Sequence, residues 1–204
     1  MMIAIIDYGM GNLRSVQKAF ERIGHEAQIT SDRATVESAE KIVLPGVGAI
    51  ADAVAELKRA DMIGVIRDSI AANKPFLGIC LGFQALFEFS EENGGTECLG
   101  VFKGSVKRFP ESPKYVVPHM GWNDLTFKQP DAPIFRGLKA TDYVYFVHSY
   151  YVDCAEPEIV ATTTNYDDVD FCSSIAKGNV FATQFHPEKS QSVGLKLLEN
   201  FATL

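Results

Sequence analysis

A single cysteine, Cys80, stands between two glycines in the segment Gly-Ile-Cys-Leu-Gly at residues 78–82. An apolar run precedes it at residues 75–77, and a helix-like run follows it at residues 83–87. The pattern predicts a nucleophile elbow, a sharp strand-to-helix turn that needs small neighbours because it forces an unfavourable backbone conformation. Such a turn places the sulfur at the positive end of a helix, which favours the thiolate and makes Cys80 a candidate nucleophile.

A second motif, Gln-Phe-His-Pro-Glu at residues 184–188, supplies a histidine and a carboxylate two residues apart. Side chains alternate on an extended segment, so His186 and Glu188 are expected to face the same side, where Glu188 can orient the imidazole. Taken alone, a cysteine between glycines at a buried strand end is more often a small core residue than a nucleophile. Together, the order Cys, His, Glu predicts a catalytic triad in a cysteine-dependent acyl-transfer enzyme.

The composition favours one globular domain spanning residues 1–204. With 204 residues, of which 47% are hydrophobic, the chain can bury a full core. Its net charge is -7 and no stretch clusters Lys and Arg, so neither nucleic acid nor an anionic membrane surface is an expected partner. The apolar start at residues 1–6 lacks a basic flank and a cleavage site, so it is interpreted as a first buried strand.

The cysteines and histidines are not expected to form a disulfide framework or a metal site. The four cysteines show no tight pairing, which fits a reducing cytoplasm. The four histidines are scattered without ligand spacing, so no metal is predicted. The segment Gly-Met-Gly-Asn at residues 9–12 resembles half of a dinucleotide fingerprint but lacks its third glycine and its acidic residue, so no cofactor is predicted.

The first half of the chain alternates apolar and amphipathic segments. Four strands are predicted, at residues 3–7, 26–30, 41–44 and 75–79. A helix is predicted where Leu13, Val16 and Phe20 recur at helical spacing, with Gly24 as its C-cap, and a helical stretch is predicted from about residue 49 to 73. This alternation implies an α/β fold whose mostly parallel sheet is flanked by helices and carries active groups at the carboxyl ends of its strands.

The second half is richer in strands and turns, which predicts additional antiparallel strands. Strands or hairpins are predicted at residues 101–109, 122–127, 143–152, 158–164 and 170–184. The sequence Ala-Lys-Gly-Asn at residues 176–179 predicts a hairpin turn that leads to the strand carrying His186, and a helix is predicted over 190–201.

Two further segments have both a functional and a structural interpretation. Pro-Gly-Val-Gly at residues 45–48 has the composition of an ordinary turn, but beside an elbow it is suited to form half of an oxyanion hole. The other half is the backbone N–H of Leu81, the residue after the nucleophile. Residues 143–151 alternate like a strand and put His148 and Tyr150 on one face, which is also what sheet packing produces.

The motifs around Cys80 and His186 resemble those of the class I, triad-type glutamine amidotransferases. Within that class, four further segments are similar to the glutaminase subunits of imidazole glycerol phosphate synthases, at residues 7–13, 44–49, 119–123 and 146–151. The resemblance runs from the first strand to the last helix. Two positions depart from it: Phe83 stands where methionine is common and Ala182 where glycine is common.

The resemblance implies a single-domain class I glutamine amidotransferase fold and glutamine as the substrate. In the implied reaction Cys80 attacks the carboxamide, and the backbone N–H groups of Val47 and Leu81 hold the oxyanion. His186 then protonates the leaving ammonia and later activates the water that releases glutamate, while Glu188 orients the imidazole. Five residues are implied to hold the glutamine: Gly48, Gln84, His148, Ser149 and Tyr150.

The resemblance also implies a partner, because ammonia is useful only if it reaches an acceptor and this chain contains no visible acceptor site. The partner is a cyclase subunit with a (β/α)8 barrel, which forms a heterodimer with this chain and receives ammonia through an internal route. It yields imidazole glycerol phosphate and an aminoimidazole carboxamide ribotide in histidine biosynthesis. Five residues are predicted to dock on it, although each is also compatible with ordinary surface packing: Asn12, Met120, Trp122, Tyr145 and Lys189.

Other functions remain open at this point. The chain is also compatible with an amidotransferase subunit of a sibling pathway, or with an enzyme that releases ammonia on its own. The identity of the synthase that co-purifies with it distinguishes these possibilities. A catalytically silent binding subunit is a further alternative, against which the intact triad argues.

Overall fold

A twelve-stranded mixed sheet and a separate two-stranded ribbon organise the computed structural model, which describes residues 2–204. In chain order the strands are β1 (Ile3–Ile6), β2 (Ala27–Thr30), β3 (Lys41–Gly46), β4 (Phe76–Cys80), β5 (Phe89–Ser90), β6 (Thr96–Glu97), β7 (Gly104–Arg108), β8 (His119–Asp124), β9 (Thr126–Phe127), β10 (Tyr143–His148), β11 (Tyr150–Cys154), β12 (Val160–Tyr166), β13 (Val169–Lys177) and β14 (Val180–Thr183). The helices are α1 (Leu13–Arg22), α2 (Arg33–Ser38), α3 (Ile50–Arg59), α4 (Met62–Ala71), α5 (Leu81–Gln84) and α6 (Gln191–Ala202). Short 3₁₀ turns occupy Glu92–Gly94, Pro133–Phe135, Pro157–Ile159 and Pro187–Lys189.

The sheet order is β2-β1-β3-β4-β14-β13-β11-β7-β5-β6, with β12 and β9 joined through β13. Strands β2, β1, β3, β4 and β14 run parallel, whereas the pairs of β13 with β14, β11 and β12 are antiparallel. The predicted α/β fold, with a mostly parallel sheet in the first half and antiparallel strands in the second, is confirmed. The carboxyl ends of β3, β4 and β14 therefore meet at one edge of the sheet.

Both faces of the parallel strands β1, β3, β4 and β14 are buried, as expected for a sheet covered by helices on two sides, whereas the edge strand β2 is partly exposed. Along β1, Ala4 and Ile6 pack in one layer with residues of α3 and α4, while Ile3 and Ile5 pack in the other with residues of α1 and α6. This two-sided burial holds the strand ends in fixed positions. None of the helices in residues 2–204 is long and apolar enough to cross a membrane.

The ribbon of β8 and β10 lies outside the main sheet, and its two strands pair antiparallel over their full length. Alternate residues face opposite sides. His119 on β8 and Val144, Phe146 and His148 on β10 are buried, while Met120 and Trp122 are exposed.

Several predicted elements differ from the observed ones. The helical stretch over 49–73 is two helices, because Asp61 adopts a left-handed conformation with φ 55° between α3 and α4. The predicted strand over 143–152 divides at Ser149 into β10 of the ribbon and β11 of the main sheet. The predicted hairpin turn is confirmed, since Lys177 pairs with Val180 across Gly178 and Asn179.

Candidate active site

Cys80 ends β4 in a strained conformation, with φ 54° and ψ -107°. A non-glycine residue in this region costs about 1–3 kcal/mol, which the surrounding packing must hold in place. A Cβ on Gly82 would overlap the carbonyl of Leu44, so glycine is required there, and one on Gly78 would lie 3.1 Å from Cβ of Ala182, which is a tight contact. The elbow is thus present, although α5 is a single turn rather than the longer helix that was predicted.

His186 and Glu188 form a buried pair in which Nδ1 of the histidine is 2.8 Å from Oε1 of the carboxylate. The prediction of an extended segment was wrong in detail, because residues 187–189 form a 3₁₀ turn whose first residue is Pro187. The turn still brings the carboxylate back to the ring. Both side chains are at most 2% accessible, so the pair is shielded from solvent.

The electrostatics of this pair favour a charged imidazole. Burial alone lowers the pKa of His186, but the charge interaction with Cys80 and the hydrogen bond and charge of Glu188 outweigh it and raise the pKa to about 10. The raised pKa favours the imidazolium, and the second nitrogen, Nε2, has no hydrogen-bond partner within residues 2–204. A charged imidazole with a free N–H is equipped to donate a proton.

A cleft of about 420 Å³ opens over Cys80 and His186. Every residue predicted to hold the oxyanion or the glutamine lines this cleft, whereas Glu188 lies behind His186 and does not. The lining residues are Val47, Gly48, Cys80, Leu81, Gln84, Glu92, Pro118, Val147, His148, Ser149, Tyr150 and His186.

Three of the lining residues, Glu92, Pro118 and Val147, were not predicted from the sequence. Glu92 begins a short turn, and its Oε2 accepts a 2.7 Å hydrogen bond from the backbone N–H of Ile50 at the start of α3. The sequence around Glu92 is Glu-Glu-Asn-Gly-Gly at residues 91–95, which predicts a turn but does not predict that this turn borders the cleft. Its position depends on the tertiary path of the chain.

The segment at residues 45–48 borders the elbow directly. Gly46 pairs with Cys80 in the parallel register of β3 and β4, and the following Val47 is 39% exposed. Gly48 has φ +100°, which favours glycine at that position. Below the segment, the Tyr8 hydroxyl donates a 3.0 Å hydrogen bond to the carbonyl of Pro45.

Gln84 and Gln184 connect the elbow to β11. The Gln84 amide nitrogen donates to the carbonyl of Tyr150 at 2.8 Å and to Oε1 of Gln184 at 2.9 Å. The amide nitrogen of Gln184 lies 3.7 Å from Sγ of Cys80. The buried polar groups beside the nucleophile are thereby joined into one network.

Four of the five predicted docking residues come together near the outer face of the ribbon. The rings of Trp122 and Tyr145 meet edge to face at 5.9 Å, and Nζ of Lys189 lies 5.9 Å from the Tyr145 ring centre. Met120, on the same face of β8 as Trp122, is 61% exposed. Asn12, at the start of α1, instead lines a narrow crevice against His186 and Glu188.

Comparison with known proteins identifies relatives of the whole chain. Residues 4–203 match the family model for class-I glutamine amidotransferases. An imidazole glycerol phosphate synthase subunit HisH from Rhodopirellula baltica is 52% identical over 99% of this chain and 97% of its own length. Another, from Syntrophotalea carbinolica, is 50% identical over 100% of both chains.

Solved structures at lower identity share the fold. The structure of PurLQS from Thermotoga maritima covers 99% of this chain and 97% of its own, with a TM-score of 0.77 and 21% identity. The glutaminase domain of Trypanosoma brucei CTPS, solved with bound acivicin, covers 100% of this chain and 94% of its own, with a TM-score of 0.68 and 17% identity.

Proposed function

Since the chain belongs to the class-I glutamine amidotransferase family, and within it to the HisH subunits of imidazole glycerol phosphate synthase, we propose that it hydrolyses glutamine to glutamate and ammonia at Cys80. The observation that carries the proposal is the buried 2.8 Å pair of His186 and Glu188 beside a cysteine held in an elbow. A nucleophile, a base and a group that orients the base are the minimum that acyl transfer through a cysteine requires.

The reaction proceeds in two halves. Cys80 attacks the side-chain carbonyl carbon of glutamine as the thiolate that pairs with the His186 imidazolium, and the backbone N–H groups of Val47 and Leu81 stabilise the oxyanion. As the C–N bond breaks, His186 gives its proton to the leaving nitrogen, so ammonia departs and a glutamyl thioester remains. His186 then takes a proton from water, which attacks the thioester, and the C–S bond breaks to release glutamate and free Cys80. Glu188 holds the ring throughout.

Glutamine is held by the other residues of the cleft. Glu92 carries the one carboxylate among the cleft-lining residues described above, so it is suited to bind the α-ammonium group of the substrate. Gly48, Gln84 and the segment at residues 148–150 bind the remainder. The proposed site uses no metal and no cofactor, since the chemistry needs only a nucleophile and proton transfers.

The ammonia passes to the partner subunit of the same synthase. We infer that this partner is a cyclase with a (β/α)8 barrel, that the two chains form a heterodimer in the cytoplasm, and that neither nucleic acid nor a membrane takes part. The exposed apolar side chains of Met120 and Trp122, with Tyr145 and Lys189, are the proposed docking face, and Asn12, in the crevice beside His186 and Glu188, is proposed as a separate contact. Aromatic and methionine side chains are enriched at such interfaces.

The test combines a chemical probe with an assay. A glutamine-like electrophile should label Cys80 and spare Cys98, Cys154 and Cys172, as read by peptide mass spectrometry, and glutamate release should require the same residue. The cyclase of this synthase should raise the rate of glutamate release, whereas stimulation only by the synthase of another pathway would reassign the chain to that pathway. A silent binding subunit would show neither labelling nor turnover.

A further inference from the structure

Two histidines outside the triad, His119 and His148, are buried side by side under the ribbon. They are opposite each other in the register of β8 and β10, and Nδ1 of His119 is 3.0 Å from Nε2 of His148. The His119 ring stacks on Tyr166, with 4.0 Å between ring centres. Burial lowers the pKa of His119 to about 4 and that of His148 to about 3, so both rings are neutral at neutral pH.

The hydrogen bonds of the two neutral rings have only one consistent direction. Nδ1 of His148 is 2.8 Å from the carbonyl oxygen of Tyr150, which can only accept, so His148 carries its proton on Nδ1 and accepts at Nε2. His119 must then donate from Nδ1, which leaves its own Nε2 as an acceptor. Nδ2 of Asn123 lies 3.4 Å from that nitrogen, and Oδ1 of Asn123 is already occupied by the backbone N–H of Asp124 at 2.9 Å. Both histidines are thus Nδ1–H tautomers.

The chain of hydrogen bonds that runs from His119 to His148 extends into the active site. The Tyr150 carbonyl that accepts from His148 also accepts from the amide nitrogen of Gln84 at 2.8 Å. The amide nitrogen of Gln84 also donates to Gln184, so Gln84 can offer the cleft only its oxygen, Oε1. An amide fixed in this way accepts from an N–H group of the substrate and repels a carbonyl or carboxylate oxygen.

We propose that His119 is a positioning residue for glutamine binding, which acts through His148 and the Tyr150 carbonyl to fix the orientation of the Gln84 amide. The inference rests on the proposed function, because it assumes that glutamine occupies the cleft over Cys80. Without the His119 donor, Nε2 of buried His148 has no partner. The His148 ring is then free to turn or to change tautomer, and the network that orients the Gln84 amide loses one of its constraints, leaving the hydrogen bond to Gln184 and the strand pairing of Tyr150.

The test uses two substitutions that differ in one hydrogen-bond donor. In His119→Asn the side-chain amide places an N–H near the position of Nδ1, whereas His119→Leu has similar bulk and no donor. With the cyclase present, His119→Leu should raise KM for glutamine about tenfold and change kcat less, while His119→Asn should stay close to the parent protein. His25→Leu, remote from the cleft in the loop after α1, is the matched control and should change neither constant. Equal KM values for His119→Leu and His119→Asn would overturn the proposal.

A second measurement on the unaltered protein does not depend on the folding of any variant. Long-range ¹H–¹⁵N correlation spectra distinguish Nδ1–H from Nε2–H imidazoles, and both His119 and His148 should give the Nδ1–H pattern. An Nε2–H tautomer at either residue would contradict the network whether or not the enzyme turns over. Absence of glutamate release and of Cys80 labelling in the complex would instead remove the proposed function, so the two failures are distinguishable.

Discussion

The backbone N–H of His186 donates a 2.9 Å hydrogen bond to the carbonyl of Tyr145. Ser190 strengthens this connection, because its hydroxyl accepts from the N–H of Tyr145 at 2.9 Å and donates to the carbonyl of His186 at 2.7 Å. The proposed base is therefore fastened to the strand that carries part of the proposed docking face. The backbones of Tyr145 and His186 are thus joined by one direct hydrogen bond and by the bridging hydroxyl of Ser190.

We expect the free chain to hydrolyse glutamine slowly and the cyclase, loaded with its own ligand, to accelerate hydrolysis by orders of magnitude. Val47 is exposed between Gly46 and Gly48, so its peptide can turn its N–H into or out of the oxyanion hole, and one such donor is worth about 10²–10³ in rate. Turnover is measured for the free chain, the complex and the ligand-loaded complex. Three equal rates would contradict this switch, in which the Val47 peptide turns its N–H into the oxyanion hole.

The glycine to alter in that experiment is Gly48. A Cβ on Gly46 would lie 2.6 Å from the Tyr8 hydroxyl and 2.9 Å from Cβ of Leu81, so a substitution there disturbs packing before it tests the switch. At Gly48 the nearest atom to an added Cβ is the flexible end of Met10, and the strain comes mainly from φ +100°. Gly48→Ala should lower the stimulated rate far more than the basal rate, with little change in affinity for the cyclase.

Replacing Cys80 should separate activity from stability. Cys80→Ala and Cys80→Gly should both lose glutamine hydrolysis by at least about 10⁴-fold, because neither can form the thioester. Glycine relieves the strain at φ 54°, so Cys80→Gly should be more stable than Cys80→Ala by about 1 kcal/mol, the reverse of the usual order. Urea denaturation measures the difference. The usual order, with alanine more stable, would show that the elbow is unstrained.

A gradient of effects is expected within the triad. His186→Ala should be nearly as damaging as loss of Cys80, whereas Glu188→Gln should be about 10²-fold milder, because the carboxylate acts through the ring. Glu188→Gln should also lower the pKa of His186, since it removes the charge of one of the two partners that raise it. Kinetics and histidine NMR measure the two effects. Similar small losses for both variants would indicate a different base.

Glu92→Gln should raise KM for glutamine about 10²-fold with a small change in kcat, because a charge-assisted contact to the α-ammonium is lost while the amide oxygen can still accept from Ile50. Glu97→Gln, an exposed carboxylate outside the cleft, is the matched control. An unchanged KM in Glu92→Gln would remove Glu92 from substrate binding.

The buried histidines should make the fold sensitive to acid. Unfolded, His119 and His148 take up protons near pH 6.5, but folded they do so only near pH 4 and 3. Their contribution to stability is therefore complete above about pH 6.5 and is lost as the pH falls towards 4, at up to about 1.4 kcal/mol per pH unit for each histidine. His186, with its raised pKa, adds nothing to this acid loss.

Denaturation between about pH 7 and 5 tests this sensitivity. The free energy of unfolding should decline less steeply in His119→Asn than in the parent protein, by up to one proton per unfolding event. Parallel curves for the two proteins would show that His119 is not buried in its neutral form.

The parts of the candidate site that could be predicted are those formed by residues that lie close together in the sequence. The elbow at Cys80 and the pair of His186 and Glu188 each lie within five consecutive residues, so local spacing predicted both, although the pair meets through a 3₁₀ turn and not through the extended segment that was assumed. The paired histidines could not be predicted, because His119 and His148 are 29 residues apart and meet only through the register of the ribbon. Glu92 was missed for a similar reason, since its turn reaches the cleft only in the folded chain.

The break at Ser149 also needed tertiary information. Residues 143–152 alternate as one strand, and nothing in that pattern shows that the first part pairs with β8 and the second with β7. Strand propensity predicts that a segment is extended, whereas the strand with which it pairs depends on the rest of the sheet.

The two-residue alternation of the ribbon separates the positions of the proposed docking face from those that hold the buried histidine pair, which matters for protein engineering. Positions 120 and 122 of β8, and 143 and 145 of β10, face away from the buried histidines, while 119, 123, 146 and 148 face towards the protein interior. Libraries confined to the first set can search for new docking partners without touching the buried hydrogen bonds, whereas the second set consists of buried or half-buried positions of which His148 alone lines the cleft. An insertion or deletion of a single residue in either strand would exchange the two sets and lose both properties at once.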